Sequence, residues 1–493
     1  LFFWPNAHPT RVDYATCKAP HQMEQPPNQE VEKSVAKAAS RSLDVTQGVI
    51  WKQLLKLCLP VFFSSFFQQA YSLINVFVVG HSSGSTTAVA AVQATSALTD
   101  LVVGFSVGMG VGFSIVVAQY FGAHEQHKLS VGMHTAMSIA LAFGALCSVA
   151  GVLLCGSILL WMGTPQDIFA EAQDFARVYL GAMIFSVTFN TGSALQRAVG
   201  DTRTPAIIVA SSCVVNVLMD LLFVLYLDLG ARGCGIATAC SLAFGSLATL
   251  WQLTHVEGAW RIRLRDLRID PKMARVMVKT GLPLALQSSA YTVSNIIVQS
   301  AINSFGTSHI AAWGLSGRLD SPVWTVSEAL GSSVTTFSAQ NFGARNHERM
   351  RKGLHTSLLM TVVVIGGLAS TVMALAHPLS IFFLQDERVA NLTTQVIMTL
   401  GPFYLCYSVM ANFAGTIRGS GESLRPMLLT LFGTCLLRVV WLLVFIPRHH
   451  DFTLVLMSYP ATWIITAVLF ALYYRYGHWM RHAADHEAER MAL

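Results

Sequence analysis

Long apolar stretches, separated by short polar ones, recur along the chain from about residue 54 to residue 476. A helix of about 20 residues crosses the hydrocarbon core of a bilayer, so apolar runs of that length read as membrane spans. The pattern predicts twelve, near 54–79, 88–119, 131–160, 169–192, 205–227, 234–254, 277–304, 309–339, 354–378, 391–416, 426–446 and 453–475. The predicted fold is all-α, a polytopic membrane protein with twelve transmembrane helices. The remainder is polar. Residues 1–50 read as a tail broken by Pro5, Pro9, Pro20, Pro26 and Pro27, 256–276 as a linker, and 477–493 as a second tail. The opening LFFWPNAHPT is too short an apolar run for a signal peptide and lacks its basic start. Met23 opens a stretch typical of a cytoplasmic tail, so residues 1–22 read as an upstream extension or a misassigned start.

The spans fall into two similar sets. LCLPVFFSSFFQQAYSL near residue 57 resembles TGLPLALQSSAYTVSN near 280. AQYFGA (Ala118–Ala123) returns as AQNFGA (Ala339–Ala344), and LQRAVGDTRTP (Leu195–Pro205) as TIRGSGESLRP (Thr416–Pro426), both at an offset of 221 residues. Six spans per copy, an even number, give both copies the same orientation. Such parallel repeats pack as two pseudo-symmetric lobes about an axis along the membrane normal, with a central cavity. The lobes are expected at 51–255 and 277–476. Alternating access uses a duplication of this kind by rocking one lobe against the other.

Composition strengthens the membrane reading: 53% of the 493 residues are hydrophobic and 12% charged, with a mean hydropathy of +0.52, where soluble domains have about 25% charged residues. The net charge of +6 reflects topology rather than a nucleic-acid partner. One set of loops carries 16 basic residues, seven of them between Arg261 and Lys279, whereas the opposite set has only Arg232, Arg388 and Arg448. The positive-inside rule then places the basic face and both termini in the cytoplasm. Nine scattered cysteines show no CxxC or Cys/His spacing, so neither a disulfide framework nor a metal site is indicated.

The chemistry sits inside the spans. Asn216 and Asp220, in NVLMD, are four residues apart and share one helix face. A charge at mid-membrane costs about 2.5–3.5 kcal/mol on insertion scales. Burial favours the neutral form of a carboxylate, so such a group can exchange a proton near physiological pH. The plainer alternative is a neutral aspartate completing a buried hydrogen-bond network. Gln68, Gln69 and Asn75 lie in the first span, Asp100 in the second, Asn190 in the fourth, and Gln287 and Asn295 in the seventh. Asp320 and Glu328 lie in the eighth, near one face, with Arg318 or Arg438 placed to pair with one of them. Helix–helix hydrogen bonding explains each of these as well as a substrate role does. GFSVGMGVGF (Gly104–Phe113) follows no strand and is no nucleotide loop. Its Gly104, Gly108 and Gly112 instead let helices approach closely or bend. No Walker A motif, Ser/His/Asp set or kinase signature occurs, so an ATP-driven pump and an enzyme both lack their residues.

Over residues 50–476 the chain resembles the multidrug and toxic compound extrusion (MATE) transporters. LQRAVGDTRTP after the fourth span, NVLMD in the fifth, and the LP…Q…Y.L…FVVG pattern from Leu59 to Gly80 carry the resemblance. It implies a cation-coupled antiporter that expels organic cations and amphipathic molecules, with the ion site in the N-terminal lobe. It also implies no cofactor, no nucleic-acid partner, and a monomer in the cytoplasmic membrane whose partners are small organic substrates and membrane lipid. The fifth-span pair carries over to Asp220 and Asn216. Asn190 and Thr238 fall where the family places an amide and a hydroxyl of the same network. The family's first-span acid corresponds to Asn75, which cannot carry a proton. A relay would then rest on Asp220 with Asp100, while Gln69, Gln287, Asp320 and Glu328 are secondary cavity candidates. The stretch matching the sodium branch's seventh-span glutamate reads LALQSSAYT, without an acid. Proton coupling is therefore expected, with sodium as the alternative. Two rivals stand beside this reading. A lipid-linked oligosaccharide flippase would carry further spans or a strongly basic cavity. A membrane sensor or scaffold would need a charged soluble output domain.

Overall fold

The computed structural model describes residues 42–80, 85–477 and 479–480, without the side chains of 72, 73, 75–80, 85–89 and 97. Every described element is a helix, and the helices form twelve successive rods. In the first half these are α1 (Ile50–Gly80), α2 (Ser85–Gly122), α3 (Gln126–Trp161), α4 (Gln166–Gly181) bent 46° into α5 (Met183–Ala198), α6 (Arg203–Asp220), and α7 (Gly230–His255). In the second half they are α8 (Pro271–Asn303), α9 (Thr307–Leu319) with α10 (Ser321–Gly343), α11 (His347–Leu384), α12 (Glu387–Leu400) with α13 (Tyr404–Gly419), α14 (Leu424–Thr430) with α15 (Leu437–Phe445), and α16 (Phe452–Tyr476). Among the described residues, nine helices are long and apolar enough to cross a membrane, ten when the bent α4–α5 pair is counted as one span. The α8 rod and the α9–α10 rod fall short of that mark. Gln287, Asn295, Gln299 and several serines lower the hydropathy of the first, and Arg318, Asp320 and Glu328 interrupt the second.

Several predicted spans are not continuous helices. The eighth breaks between Leu319 and Ser321, where Pro322 occupies the first turn of α10. Proline has no N–H for the preceding turn, which ends one helix and starts the next. The tenth breaks at Gly401-Pro402 for the same reason. The fifth and eleventh each contain a π turn, Leu221–Tyr226 after α6 and Leu431–Leu436 after α14.

Each half packs mainly on itself. In the first, α6 lies on α1 and α7, and α5 on α2, α3 and α7; in the second, α10 lies on α11 and α13, and α13 on α16. The halves meet chiefly where α2 crosses α8 and α10. Glycines make this crossing possible, as the spacing in GFSVGMGVGF predicts. A Cβ at Gly112 would overlap the Gly281 backbone, and one at Gly108 would come within 2.5 Å of Ala285 Cα. At Gly104 the nearest atom, Ser288 Cβ, is 3.8 Å away, so α2 and α8 diverge as they leave the basic face.

At the basic face the two copies of AQxFGA cross each other. A Cβ on Gly122 would strike the carbonyl of Gln340, and one on Gly343 the carbonyl of Gln119. The hydrogen bonds repeat this reciprocity: Gln119 Nε2 donates to Gly419 O at 2.7 Å, and Gln340 Nε2 to Ala198 O at 2.9 Å. Donors and acceptors are each related by the 221-residue offset of the repeat. The contact is thus a clasp with internal two-fold symmetry. Both glutamines are buried, in a setting where leaving such an amide unsatisfied costs about 1–3 kcal/mol.

The last residues of the predicted N-terminal tail cover this clasp. Leu43 N donates to Val199 O at 3.2 Å in the first half. Val45 N donates to Gln340 Oε1 at 3.1 Å, and Val45 O accepts from Arg349 Nε at 3.0 Å, both in the second half. Arg349 Nη2 adds a bond to Gln47 O at 2.8 Å. Gly200, with φ +84°, presses its Cα against Leu43, where a side chain would collide with the strap. Residues 43–47 therefore bridge both halves, with Val45 buried beside Leu54, Leu57, Val334 and Phe337.

Candidate functional site

The strongest sequence candidates lie together in the first half. Because α6 is wedged between α1 and α7, one of its faces is shut off from lipid, and that face carries Asn216 and Asp220, 1% and 0% exposed. Asp220 is the last α-helical residue before the π turn Leu221–Tyr226. A π turn rewinds the chain, and such turns occur frequently at functional sites. Cys213, one turn before Asn216, ties α6 to α1 by donating its thiol to Phe67 O at 3.6 Å.

Side chains from α1 and α7 converge on this face, and one from α4 lies behind them. Tyr71 of α1 and Cys234 of α7 both lie within electrostatic reach of Asp220. Thr238, one turn beyond Cys234, hydrogen-bonds to it. Tyr179 of α4 lies within reach of both Tyr71 and Asp100 of α2, and its ring stacks on Phe175 at 5.9 Å. Tyr71 thus lies near Asp220, and Tyr179 near Tyr71 and Asp100, in a region otherwise packed with apolar side chains. Tyr71, Tyr179 and Cys234 are not among the residues that sequence reasoning selects. Tyr71 offers a weak signal, a phenol directly after Gln68-Gln69-Ala70, whereas Tyr179 and Cys234 offer none.

Other predicted residues lie elsewhere. The amide of Asn190 donates to Ser186 O of its own helix at 2.9 Å, so its described bonds are local. Gln69 and Asp100 are exposed and Gln287 is buried. The side chain of Asn75 lies outside the described residues.

The second half holds a separate polar and aromatic group. Asp320 is buried at the α9–α10 break and accepts from Tyr404 Oη at 2.7 Å, while Glu328, two turns along α10, is exposed. The expected pairing of either acid with Arg438 is not formed. Arg438, 2% exposed, donates Nη2 to Thr462 Oγ1 at 3.2 Å and lies 3.8 Å over the Tyr459 ring. The helix break explains the difference: it turns Asp320 toward α13, and the ring system of Tyr459, Trp463, Trp324 and Tyr404 surrounds it. Arg318 is exposed and forms no ion pair among the described residues. Cation–π contacts are worth about 2 kcal/mol or more when desolvated. Tyr459→Leu is therefore expected to destabilise the protein by at least about that amount, read as a lower melting temperature in detergent. An unchanged melting temperature would show that the ring does not hold the guanidinium.

Known proteins match this architecture. The MatE family pattern matches residues 60–222 and again 283–444, once in each half. The Probable multidrug resistance protein YoeA of Bacillus subtilis (strain 168) is 25% identical over 437 residues, spanning 87% of this chain and 94% of its own length. A protein named FAD transporter, from Shewanella oneidensis, is 25% identical over 392 residues, 78% of this chain and 85% of its own length. Among solved structures, an outward-facing multidrug resistance MATE transporter of the MOP superfamily superposes with a TM-score of 0.82 at 19% identity, covering 91% of this chain and 99% of that one. At that identity the likeness establishes the fold. With the family pattern matched in both halves and across more than half of its length, the chain belongs to the MatE family of membrane transporters.

Proposed function

We propose that this protein is a proton-coupled antiporter that exports organic cations and amphipathic drugs across the cytoplasmic membrane by alternating access. One observation carries the reading: Asn216 and Asp220 are buried on one face of α6, with Tyr71, Cys234 and Thr238 gathered around them. A mid-membrane carboxylate among phenols and amides has the chemistry to take up a proton on one side and release it on the other. Relatives named for multidrug resistance support the export of drugs.

The positive-inside rule assigns the basic face to the cytoplasm, so the clasp closes the cytoplasmic side and the conformation is outward-facing. In this state Asp220 accepts a proton from outside, the packing around it on α6, α1 and α7 rearranges, and substrate affinity falls. Substrate leaves, the clasp opens as the halves rock, and the proton departs inward. Asn75 cannot share this task, so Asp100 acts beside Asp220 through Tyr179 and Tyr71. Gln69, Gln287, Asp320 and Glu328 serve as secondary contacts of the transport cavity. For a neutral substrate, one proton charge crossing 100 mV is worth about 2.3 kcal/mol, enough to hold about a fiftyfold substrate gradient. Exchange for a monovalent cation moves no net charge, and there the pH gradient alone drives export, about tenfold per pH unit.

Everted vesicles with an imposed pH gradient test the coupling ion. A fluorescent cationic drug is expected to dissipate the gradient, equally well with sodium or with choline as the salt. A response that requires sodium would transfer the coupling to that ion.

A further inference from the structure

Between α1 and α6, at the end nearest the basic loops, a groove of about 640 Å³ opens on the outside of the helix bundle. One wall is a stripe of residues at i, i+4 spacing on α1: Trp51, Leu55, Leu59, Phe63 and Phe67. This spacing keeps the five side chains on one helix face, along about 24 Å of axis. Ile207 and Ala210 of α6 form the facing wall. All five side chains of the stripe are between 36% and 49% exposed, and Ile207 is 66% exposed.

The charge in the groove lies at one end only. Lys52, Lys56 and Arg203 all line it, all are exposed, and all lie within the first two turns of their helices. None forms an ion pair among the described residues. The nearest acid in sequence, Asp201, is buried and accepts from Thr204 N at 3.0 Å, so its carboxylate is turned into the protein. Three cations at the head of an apolar trough longer than one leaflet's hydrocarbon depth, about 15 Å, complement one ligand chemistry: a phosphate anion carrying an acyl chain.

We propose that this groove is a specific site for an anionic phospholipid of the basic-face leaflet. The phosphate is held by Lys52, Lys56 and Arg203, and one acyl chain lies along Leu59, Phe63 and Phe67. The site is separate from Asp220 and does not depend on the transport reading, because its test is binding rather than flux. Basic pockets between spans on the cytoplasmic side bind anionic head groups, with each basic residue near the surface worth about 1 kcal/mol.

The test uses the full chain purified in detergent and equilibrated with equal amounts of phosphatidylglycerol and phosphatidylcholine, with the retained lipid counted by native mass spectrometry. Wild type is expected to retain phosphatidylglycerol preferentially. The triple variant Lys52→Gln/Lys56→Gln/Arg203→Gln is expected to lose that preference, by about a hundredfold in affinity at about fivefold per charge. Arg263→Gln/Arg265→Gln/Arg268→Gln removes as many charges from the linker and is expected to leave it intact. Ala210→Trp fills the trough without altering charge and is expected to reduce retention of both lipids. Equal retention of both lipids by wild type, or undiminished phosphatidylglycerol in either groove variant, would overturn the site.

Discussion

Asp220→Asn is expected to abolish transport driven by a pH gradient while leaving the protein folded. Asparagine has nearly the volume of aspartate and keeps a hydrogen-bonding side chain, so the buried face of α6 stays filled and polar. What it loses is the exchangeable proton. Without a coupled proton the variant has no access to the pH gradient, which sustains about a tenfold substrate gradient per pH unit, nor, for a neutral substrate, to the roughly fiftyfold that 100 mV adds. In everted vesicles the drug-induced dissipation of the pH gradient is expected to fall to background. Substrate binding separates lost coupling from lost structure. In wild type, protons compete with substrate, so lowering the pH on the open side is expected to weaken binding. In the variant, binding is expected to persist and become insensitive to pH. Asp100→Asn, on the far side of Tyr71 and Tyr179 from Asp220, is expected to reduce the coupled rate without abolishing it. Full activity in Asp220→Asn would sink the assignment, and the acids of the second half, Asp320 and Glu328, would then be next to test.

Gly122→Val and Gly343→Val are expected to open the basic face. Each glycine lies against the carbonyl of the other repeat's glutamine, Gln340 or Gln119, and an added Cβ would overlap it. A well-packed contact overfilled in this way costs about 1–3 kcal/mol. If that strain is relieved by opening, the ratio of open to closed molecules rises by about 5- to 150-fold. Spin labels at His127 and Glu348, exposed positions related by the repeat offset, would report it in a background lacking native cysteines. The distance between them is expected to shift to longer values in both variants. The symmetry requires the two substitutions to act alike, since each blocks one half of the same reciprocal contact. Gly367→Val in α11 is the control, because nothing lies within 4 Å of its added Cβ. Unchanged distances in Gly122→Val and Gly343→Val would show that the clasp does not hold the halves together.

Much of this protein is legible one segment at a time. Span number follows from runs of apolar residues, since the bilayer demands length and low polarity locally. The repeat is visible because both copies kept AQxFGA and the Arg-Pro loops. Asn216 and Asp220 stand out because a helix turns once every 3.6 residues and a carboxylate is rare in a greasy run. Even the glycine-lined crossing of α2 is foreshadowed by the spacing of Gly104, Gly108 and Gly112. The helix breaks at Asp320 and Gly401 are partly legible, in Pro322 and Pro402.

The tertiary structure alone decided what those segments do to one another. That Gln119 meets Gly419, and Gln340 meets Ala198, depends on how two halves are rotated about their axis. No sequence window contains both partners. Residues 43–47 read as polar tail because a strap held by backbone hydrogen bonds needs no particular side chains. Tyr71, Tyr179 and Cys234 are ordinary residues until packing brings α1 and α7 against α6, and α4 against α7. Arg438 is bound to a ring rather than to an acid because the break at Asp320 turns that carboxylate toward Tyr404. Hydrophobicity and helical period act within a few turns and leave their marks in sequence. Contacts between residues hundreds of positions apart are set by packing geometry and leave no such mark.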